Sequence, residues 1–340
     1  MNFLKKGLLI LIMTAMVVSM AYAGGEQESA SAGPKTDNIV VGFSCAGMGN
    51  SWRMFLKANF DAEVANHPEI SKVYFTNADE KPEKQIADID DLLAKGVDLL
   101  LVQPSMGEAI VPAVERAYES GIPVIILDGT VPTDMQTAYV GQDMKLLGAN
   151  YARALIDMMG TEGKIIMLSG IAGQMSVELR LEGAREVFAQ YPGIEILDTQ
   201  YTGWSIPKGK EVMESFLQTY PQIDGIWADS GLMSFPALET MKEAGREMVP
   251  SSGDNLNGYA KFLVANDVPG YIEPYSTQQA AWALVEGLKA VKGDTLDKVI
   301  YRTPDQFPFE KIKEIVDMSL SDWWWLGDDQ IPAEFLPQID

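Results

Sequence analysis

The chain of 340 residues holds one cysteine and one histidine. A single cysteine excludes an internal disulfide, so Cys45 reads as a small buried packing residue, the alternative being a catalytic thiol. One imidazole and one thiolate are poor provision for zinc or another transition metal. His67, followed by Pro68 at a helix-to-strand turn, falls at the amino end of a strand, opposite the edge where open α/β sheets bind ligands. A Ser-His-Asp or Cys-His machine therefore lacks its base. The chain also has no Gly-x-Ser-x-Gly elbow and no Walker-type lysine loop. Positive charge is scarce: 26 Lys and Arg stand against 48 Asp and Glu, a net charge of -22. Such a balance repels nucleic acid and anionic membrane and disfavours an anionic ligand. The apolar run from Leu8 to Met20 is shorter than the roughly 20 residues a spanning helix needs.

That run has a different meaning. It follows Lys5 and Lys6 and precedes Ala21-Tyr22-Ala23, which is the pattern of a secretory signal peptide, residues 1–23, cut after Ala23. No cysteine follows the cut, so no lipid anchor is expected, and an unanchored exported protein points to a periplasm. Residues 24–37, rich in Gly, Ser, Ala and Glu, read as a flexible leader. The remaining chain, about 300 residues, exceeds what one hydrophobic core usually serves, so two lobes are expected.

The pattern along the chain repeats. Helix-like Lys84 to Lys95 stops at Gly96 and yields the apolar run Val97 to Val102; helix-like Glu108 to Ser120 stops at Gly121 and yields Ile122 to Leu127. Near-continuous apolar strands alternating with amphipathic helices indicate a parallel sheet covered on both faces. With Ile39 to Phe43 and Lys72 to Phe75, this makes a first doubly wound lobe. The pattern restarts after Gln142-Asp143 with strand-like Lys164 to Leu168, Ile194 to Leu197, Asp224 to Ala228 and Met248-Val249. The predicted fold class is α/β, two doubly wound parallel-sheet lobes joined by a hinge. Helix Gln278 to Val291 is expected to return to the first lobe. In the tail, Trp323, Trp324 and Trp325 point in three directions from any helix or strand, so packing against a lobe is expected rather than stacking on a ligand.

Ligands of open α/β sheets bind outside the carboxyl ends of the strands. The first such junction reads Gly-Phe-Ser-Cys-Ala-Gly-Met-Gly-Asn-Ser-Trp-Arg, Gly42 to Arg53, and offers Asn50, Trp52 and Arg53: an amide, a flat apolar face and a guanidinium. This set suits a polyhydroxylated ring; the bland alternative is a loop whose Trp52 is the first core residue of a helix. A dinucleotide fingerprint fails here, because Trp52 stands where the third glycine would be. Asp128 closes a strand, and Asp254 occupies a comparable place, where it is equally readable as an N-cap for Leu256 onward. Paired carboxylates are abundant, so counts alone leave an exported glycosidase open.

From about Asn38 to Lys313 the chain resembles the type I periplasmic sugar-binding proteins of ABC importers, the ribose-binding-like group. The resemblance rests on Asn50-Ser51-Trp52-Arg53, Ile126-Leu127-Asp128-Gly129, Ser169-Gly170-Ile171-Ala172-Gly173 leading to Arg180 and Gly183, and Gly253-Asp254-Asn255. It implies a receptor, not an enzyme, that binds a neutral monosaccharide or polyol without a cofactor or metal, as a monomer, and delivers it to a membrane permease. A sensor subunit presenting the same form to a chemoreceptor or kinase is the alternative. The implied ligand residues are Asn50, Trp52, Arg53, Asp128, Arg180, Trp204, Ser230, Asp254 and Tyr275, with Trp52 and Trp204 covering opposite faces of the sugar. Two positions depart from the family: Gly129 stands where an arginine is common, with Arg53 as its stand-in, and the late glutamine falls near Pro274, between Glu273 and Tyr275. The implied lobes are residues 38–142 with 276–302 and residues 143–275 with 303–320, followed by a tail, 321–340. The expected hinge crossings lie near Gln142-Asp143, Glu273-Ser276 and Arg302-Asp305.

Overall fold

The computed structural model describes residues 34–303, 306–327 and 331–338; the signal peptide, most of the leader and part of the third crossing lie outside these. In chain order the first lobe contains β1 (Ile39–Cys45), α1 (Ser51–Ala65), β2 (Ile70–Asn77), α2 (Pro82–Ala94), β3 (Leu99–Val102), α3 (Gly107–Glu119), β4 (Val124–Leu127) and β5 (Ala138–Gly141). The second contains α4 (Met144–Met159), β6 (Glu162–Ser169), α5 (Met175–Phe188), β7 (Gly193–Tyr201), α6 (Ile206–Thr219), β8 (Gly225–Ala228), α7 (Gly231–Glu243), β9 (Ser251–Gly253), α8 (Asn257–Asn266) and β10 (Gly270–Ile272). The chain then returns through α9 (Gln279–Val291) and β11 (Val299–Tyr301) to the first lobe and through β12 (Phe307–Pro308) and α10 (Phe309–Ile315) to the second.

Each lobe is built on a six-stranded sheet, ordered β11-β5-β4-β3-β1-β2 in the first and β12-β10-β9-β8-β6-β7 in the second. All pairings are parallel except β12 against β10. Helices cover both faces, which is why the sequence of β3, Leu-Leu-Leu-Val, and of β4, Val-Ile-Ile-Leu, is buried at every position. Gly96 and Gly121, at φ of 72° and 84°, end α2 and α3 in the left-handed conformation that glycine adopts without strain. Three crossings join the lobes, after β5, after β10 and after β11. The strand expected at Met248-Val249 instead runs from Ser251 to Gly253, because Pro250 lacks the N–H a ladder needs and the small serines fit the buried sheet.

In the second lobe α4 and α5 touch through glycine. A Cβ on Gly148 would lie 2.0 Å from the carbonyl oxygen of Arg180, and one on Gly183 would lie 1.9 Å from that of Lys145. Only bare backbone permits this approach, and it sets the depth of Arg180 in the cleft.

Candidate functional site

The nine residues singled out in the sequence, Asn50, Trp52, Arg53, Asp128, Arg180, Trp204, Ser230, Asp254 and Tyr275, line one cavity between the lobes with about 340 Å³ of empty space, together with Leu232 and Trp325. The convergence follows from topology: β1, β4, β8 and β9 all end their carboxyl edges at the cleft, and the second crossing runs along its floor.

On the first lobe, Asn50 is the N-cap of α1, its Oδ1 accepting from the Arg53 N–H at 3.1 Å, so its amide nitrogen is the part not committed to the cap. Trp52 is buried and stacks on Tyr275 with centroids 5.0 Å apart and planes 17° from parallel; its Nε1–H donates to the Tyr275 carbonyl at 2.8 Å. One indole face is thus covered by protein, and at most the other serves a ligand. Arg53 is buried and its guanidinium is paired with Glu80, not free beside Gly129. Nor is there room at Gly129 for the side chain it lacks, since a Cβ there would meet the Pro104 ring at 2.8 Å.

Asp128 sits just past β4 with φ of +64°, a strained conformation for a residue with a Cβ. Its carboxylate is held from two sides: Gln103 Nε2 donates to Oδ2 at 2.7 Å, and the Tyr275 hydroxyl donates to Oδ1. Tyr275 is the neighbour of Pro274, near which the late glutamine was expected, and its phenol takes up part of the acceptor capacity of Asp128.

On the second lobe, Arg180 is buried, with its guanidinium carbon 4.2 Å above the Tyr275 ring. It donates to the Asp229 carbonyl at 3.4 Å and approaches the Met144 sulfur at 3.5 Å, and its Nε has no partner among the described residues. Burial works against the charge, but the surrounding Tyr275, Asp229 and Asp128 outweigh it and keep Arg180 protonated. Trp204, at φ of +52°, lays its indole over Gly170, where a Cβ would come within 2.2 Å of the ring. Its Nε1–H donates to Asp229 Oδ1 at 3.0 Å, while Ser169 and the Gly170 N–H hold Oδ2. Asp229 thus positions the tryptophan rather than lining the cavity, and burial pushes its carboxyl above the usual range.

Ser230 is the N-cap of α7 and accepts from Leu232 N–H at 3.2 Å. Asp254 does not cap the helix that follows it: the N-cap of α8 is Leu256, with no side-chain cap bond, and Asp254 Oδ1 instead accepts from Gly231 N–H at 2.7 Å, at the start of α7. Burial raises the Asp254 carboxyl from 3.8 to about 7, offset in part by Gly231, Ser230 and Arg180. Between those two values the folded protein holds a proton that the unfolded chain has released. The contribution of Asp254 to apo stability is therefore greatest below about pH 4 and is lost as pH rises through about 7. Replacing it, Asp254→Asn, is expected to remove this falling limb from the stability-against-pH curve. Urea unfolding at half-unit steps from pH 4 to 8 measures it; an unchanged slope would show that the carboxyl titrates in its ordinary range.

Two lining residues escaped the sequence reading, Leu232 and Trp325. The tail was expected to pack against one lobe and spans both: Trp323 meets Phe235 of α7, Trp324 meets Phe55 of α1, and Trp325 is fully buried in the cavity wall. Three directions from consecutive residues hold; that one of them is the cavity needed the tertiary path. Among the described residues no cluster of His, Cys, Asp or Glu is arranged to hold a metal, and no helix is long and apolar enough to cross a membrane. Cys45 is buried, its thiol pushed up to about 11 by burial, with Sγ donating to Gln103 Oε1 at 2.9 Å.

Comparisons with known proteins agree with the two-lobe α/β fold. The chain is 29% identical over 224 residues to the xylitol-binding protein of Mycolicibacterium smegmatis, covering 64% of each chain. It is 28% identical over 211 residues to the ribose import binding protein of Bacillus subtilis, covering 62% of this chain and 68% of that one. The match thus spans just under two thirds of the first of these relatives and just over two thirds of the second. Among solved structures, the periplasmic binding protein of an arabinose ABC transporter from a Shewanella species, bound to α- and β-L-arabinofuranose, superimposes with a TM-score of 0.75 at 26% identity, covering 81% of this chain and 93% of that one. The model of the periplasmic binding protein domain matches residues 41–295, three quarters of the chain, and with the two-lobe α/β fold this places the chain in the periplasmic binding protein family.

Proposed function

We propose that this protein is an exported, periplasmic receptor that captures one neutral monosaccharide or polyol between its lobes and delivers it to an ABC transporter permease, without catalysis and as a monomer. The observation that carries the reading is Arg180: a charged guanidinium buried in a small cleft cavity, with a hydrogen-bond donor that no described protein group accepts. A buried donor without a partner is costly, and a ligand oxygen is the acceptor that the position offers. Around it stand two carboxylates that accept hydroxyl hydrogens, Asp128 and Asp254, and the aromatic groups of Trp204, Trp52 and Tyr275 for the apolar faces of a ring. Three acidic groups, Asp128, Asp229 and Asp254, around the single arginine Arg180 favour a neutral ligand over a sugar acid or phosphate. Both wall carboxylates are bound by donors of the protein itself, Gln103 and Tyr275 for Asp128 and Gly231 for Asp254, which suits holding a ligand more than transferring protons.

Opening and closing would take place about the crossings at 142–143, 273–276 and 302–305. Gln142 bonds both the Pro274 carbonyl and the Ser276 N–H and so ties the first crossing to the second. The names of the relatives, xylitol-binding and ribose import binding, support the ligand class and the importer. A thermal-shift screen of pentoses, hexoses, furanose-forming sugars and polyols tests it: one member is expected to stabilise the protein by about 2.7 kcal/mol at 100 times its dissociation constant. A screen in which none does refutes the sugar reading, and release of product from glycosides would refute the absence of catalysis.

A further inference from the structure

The tail that follows α10 is held to the second lobe next to Asp254. Asn257 N–H donates to the Trp324 carbonyl at 2.8 Å, Leu326 N–H donates to the Asn255 carbonyl at 2.9 Å, and Leu256 and Trp325 form an antiparallel bridge. Asn257 Nδ2 donates to the Asp317 carbonyl at 2.9 Å and the Ser321 carbonyl at 3.1 Å, and Lys261 pairs with Asp322 at 3.0 Å. From this anchorage the tail reaches the other lobe: Trp324 sets its edge against Phe55 with centroids 5.0 Å apart, and Trp325 Nε1–H donates to Ser51 Oγ at 3.0 Å, on the first residue of α1. Trp325 is fully buried and forms part of the cavity wall. With its one donor engaged by Ser51, Trp325 has only carbon to offer a ligand.

Resting on the reading of this cavity as a sugar or polyol site, we propose that Trp325 is a specificity-determining residue of the site, an apolar wall carried in by the tail that limits ligand size on the side of α1. Two other lining residues offer only carbon, Leu232 and Trp204, whose donor is engaged by Asp229, but both belong to the second lobe; on the side of α1 the other aromatic wall is the Trp52–Tyr275 stack, packed on itself. Ligand substituents directed at Trp325 must be small, and a ring hydrogen suits it better than a hydroxyl.

The test measures dissociation constants of the full mature chain and its variants by calorimetry, against pentoses, hexoses, their O-methyl glycosides and cyclic polyols. For Trp325→Ala the best wild-type ligand is expected to weaken at least about tenfold while bulkier members of the same series gain relative to it, so that the order of ligands changes. Trp325→Leu, which keeps the wall apolar but smaller, is expected to shift the order the same way and serves where the alanine variant does not fold. Trp324→Ala, which removes the contact with Phe55 at a residue outside the cavity lining, is expected to weaken all ligands alike and leave their order unchanged. If wild type binds a ligand and both Trp325 variants keep its affinity and the order, the inference is overturned and the receptor reading stands. Failure of wild type to bind any member overturns both.

Discussion

Arg180→Met is expected to cost at least about thirtyfold in ligand affinity while leaving the empty protein as stable as wild type or more so. Removing one partner of a buried, hydrogen-bonded charge typically costs about 2–5 kcal/mol in binding, hence roughly thirtyfold to several thousandfold. The sign for the empty protein is different for a local reason. There the guanidinium makes a long bond to the Asp229 carbonyl, 3.4 Å, a contact with the Met144 sulfur and a stack on Tyr275, and one donor goes unanswered. Methionine fills the volume, keeps contact with the ring and relieves a desolvated charge. Arg180→Lys is not expected to restore binding, because an ammonium cannot reproduce the planar fork or the stack. Calorimetry with the best ligand of the screen and urea unfolding without ligand measure the two quantities. A loss of stability as large as the loss of affinity would make Arg180 a structural residue and remove the main support for the receptor reading.

Gly148→Val is expected to destabilise the second lobe by about 3 kcal/mol, the upper end of the range for overpacking. The added carbon would stand 2.0 Å from the Arg180 carbonyl, and the obstacle is helix backbone that no rotamer change can move. The pair must part, and the bond from Trp227 Nε1 to the Gly148 carbonyl, 3.2 Å, lengthens with it. Because α5 carries Arg180 on the turn that touches Gly148, this variant is expected to weaken binding as well, although residue 148 does not line the cavity. Gly49→Ala is the control: nothing lies within 4 Å of the added carbon, and stability is expected to stay within about 0.5 kcal/mol. Denaturant midpoints of both variants check this. A Gly148→Val midpoint equal to that of wild type would mean that the helices separate without cost.

Much of the fold is legible in the sequence because parallel strands covered on both faces must be apolar throughout. Leu99 to Val102 and Val124 to Leu127 leave no other assignment once Gly96 and Gly121 end the helices before them. The strand at Ser251 to Gly253 escaped the same logic. It is three residues long, made of small and polar groups, and buried by its neighbours rather than by its own hydrophobicity. The site was legible to the extent that a strand-end position predicts a cleft position, as at Asn50, Asp128 and Asp254. What each side chain does there was not. Asn50 and Ser230 are helix caps as well as cavity residues, Arg53 is paired with Glu80, and Asp229 orients Trp204 from behind the wall. The two caps are local, whereas the Arg53–Glu80 and Trp204–Asp229 pairs join residues tens of positions apart that meet only where strand ends converge.

Composition and periodicity by themselves determined the α/β class, the two lobes, the poor provision for metal and nucleophile chemistry, and the strand ends at which a ligand site belongs, because these depend on local propensity, burial pattern and residue inventory. The tertiary structure alone decided that Tyr275 bonds Asp128 and stacks on Trp52, that Arg180 in the cavity wall keeps a buried donor without a partner among the described residues, and that a tail tryptophan forms part of that wall. Those facts depend on where distant segments cross: the second crossing lies between the lobes, Gly148 and Gly183 set the depth of α5, and the tail is bound to residues 255–258 before it reaches α1.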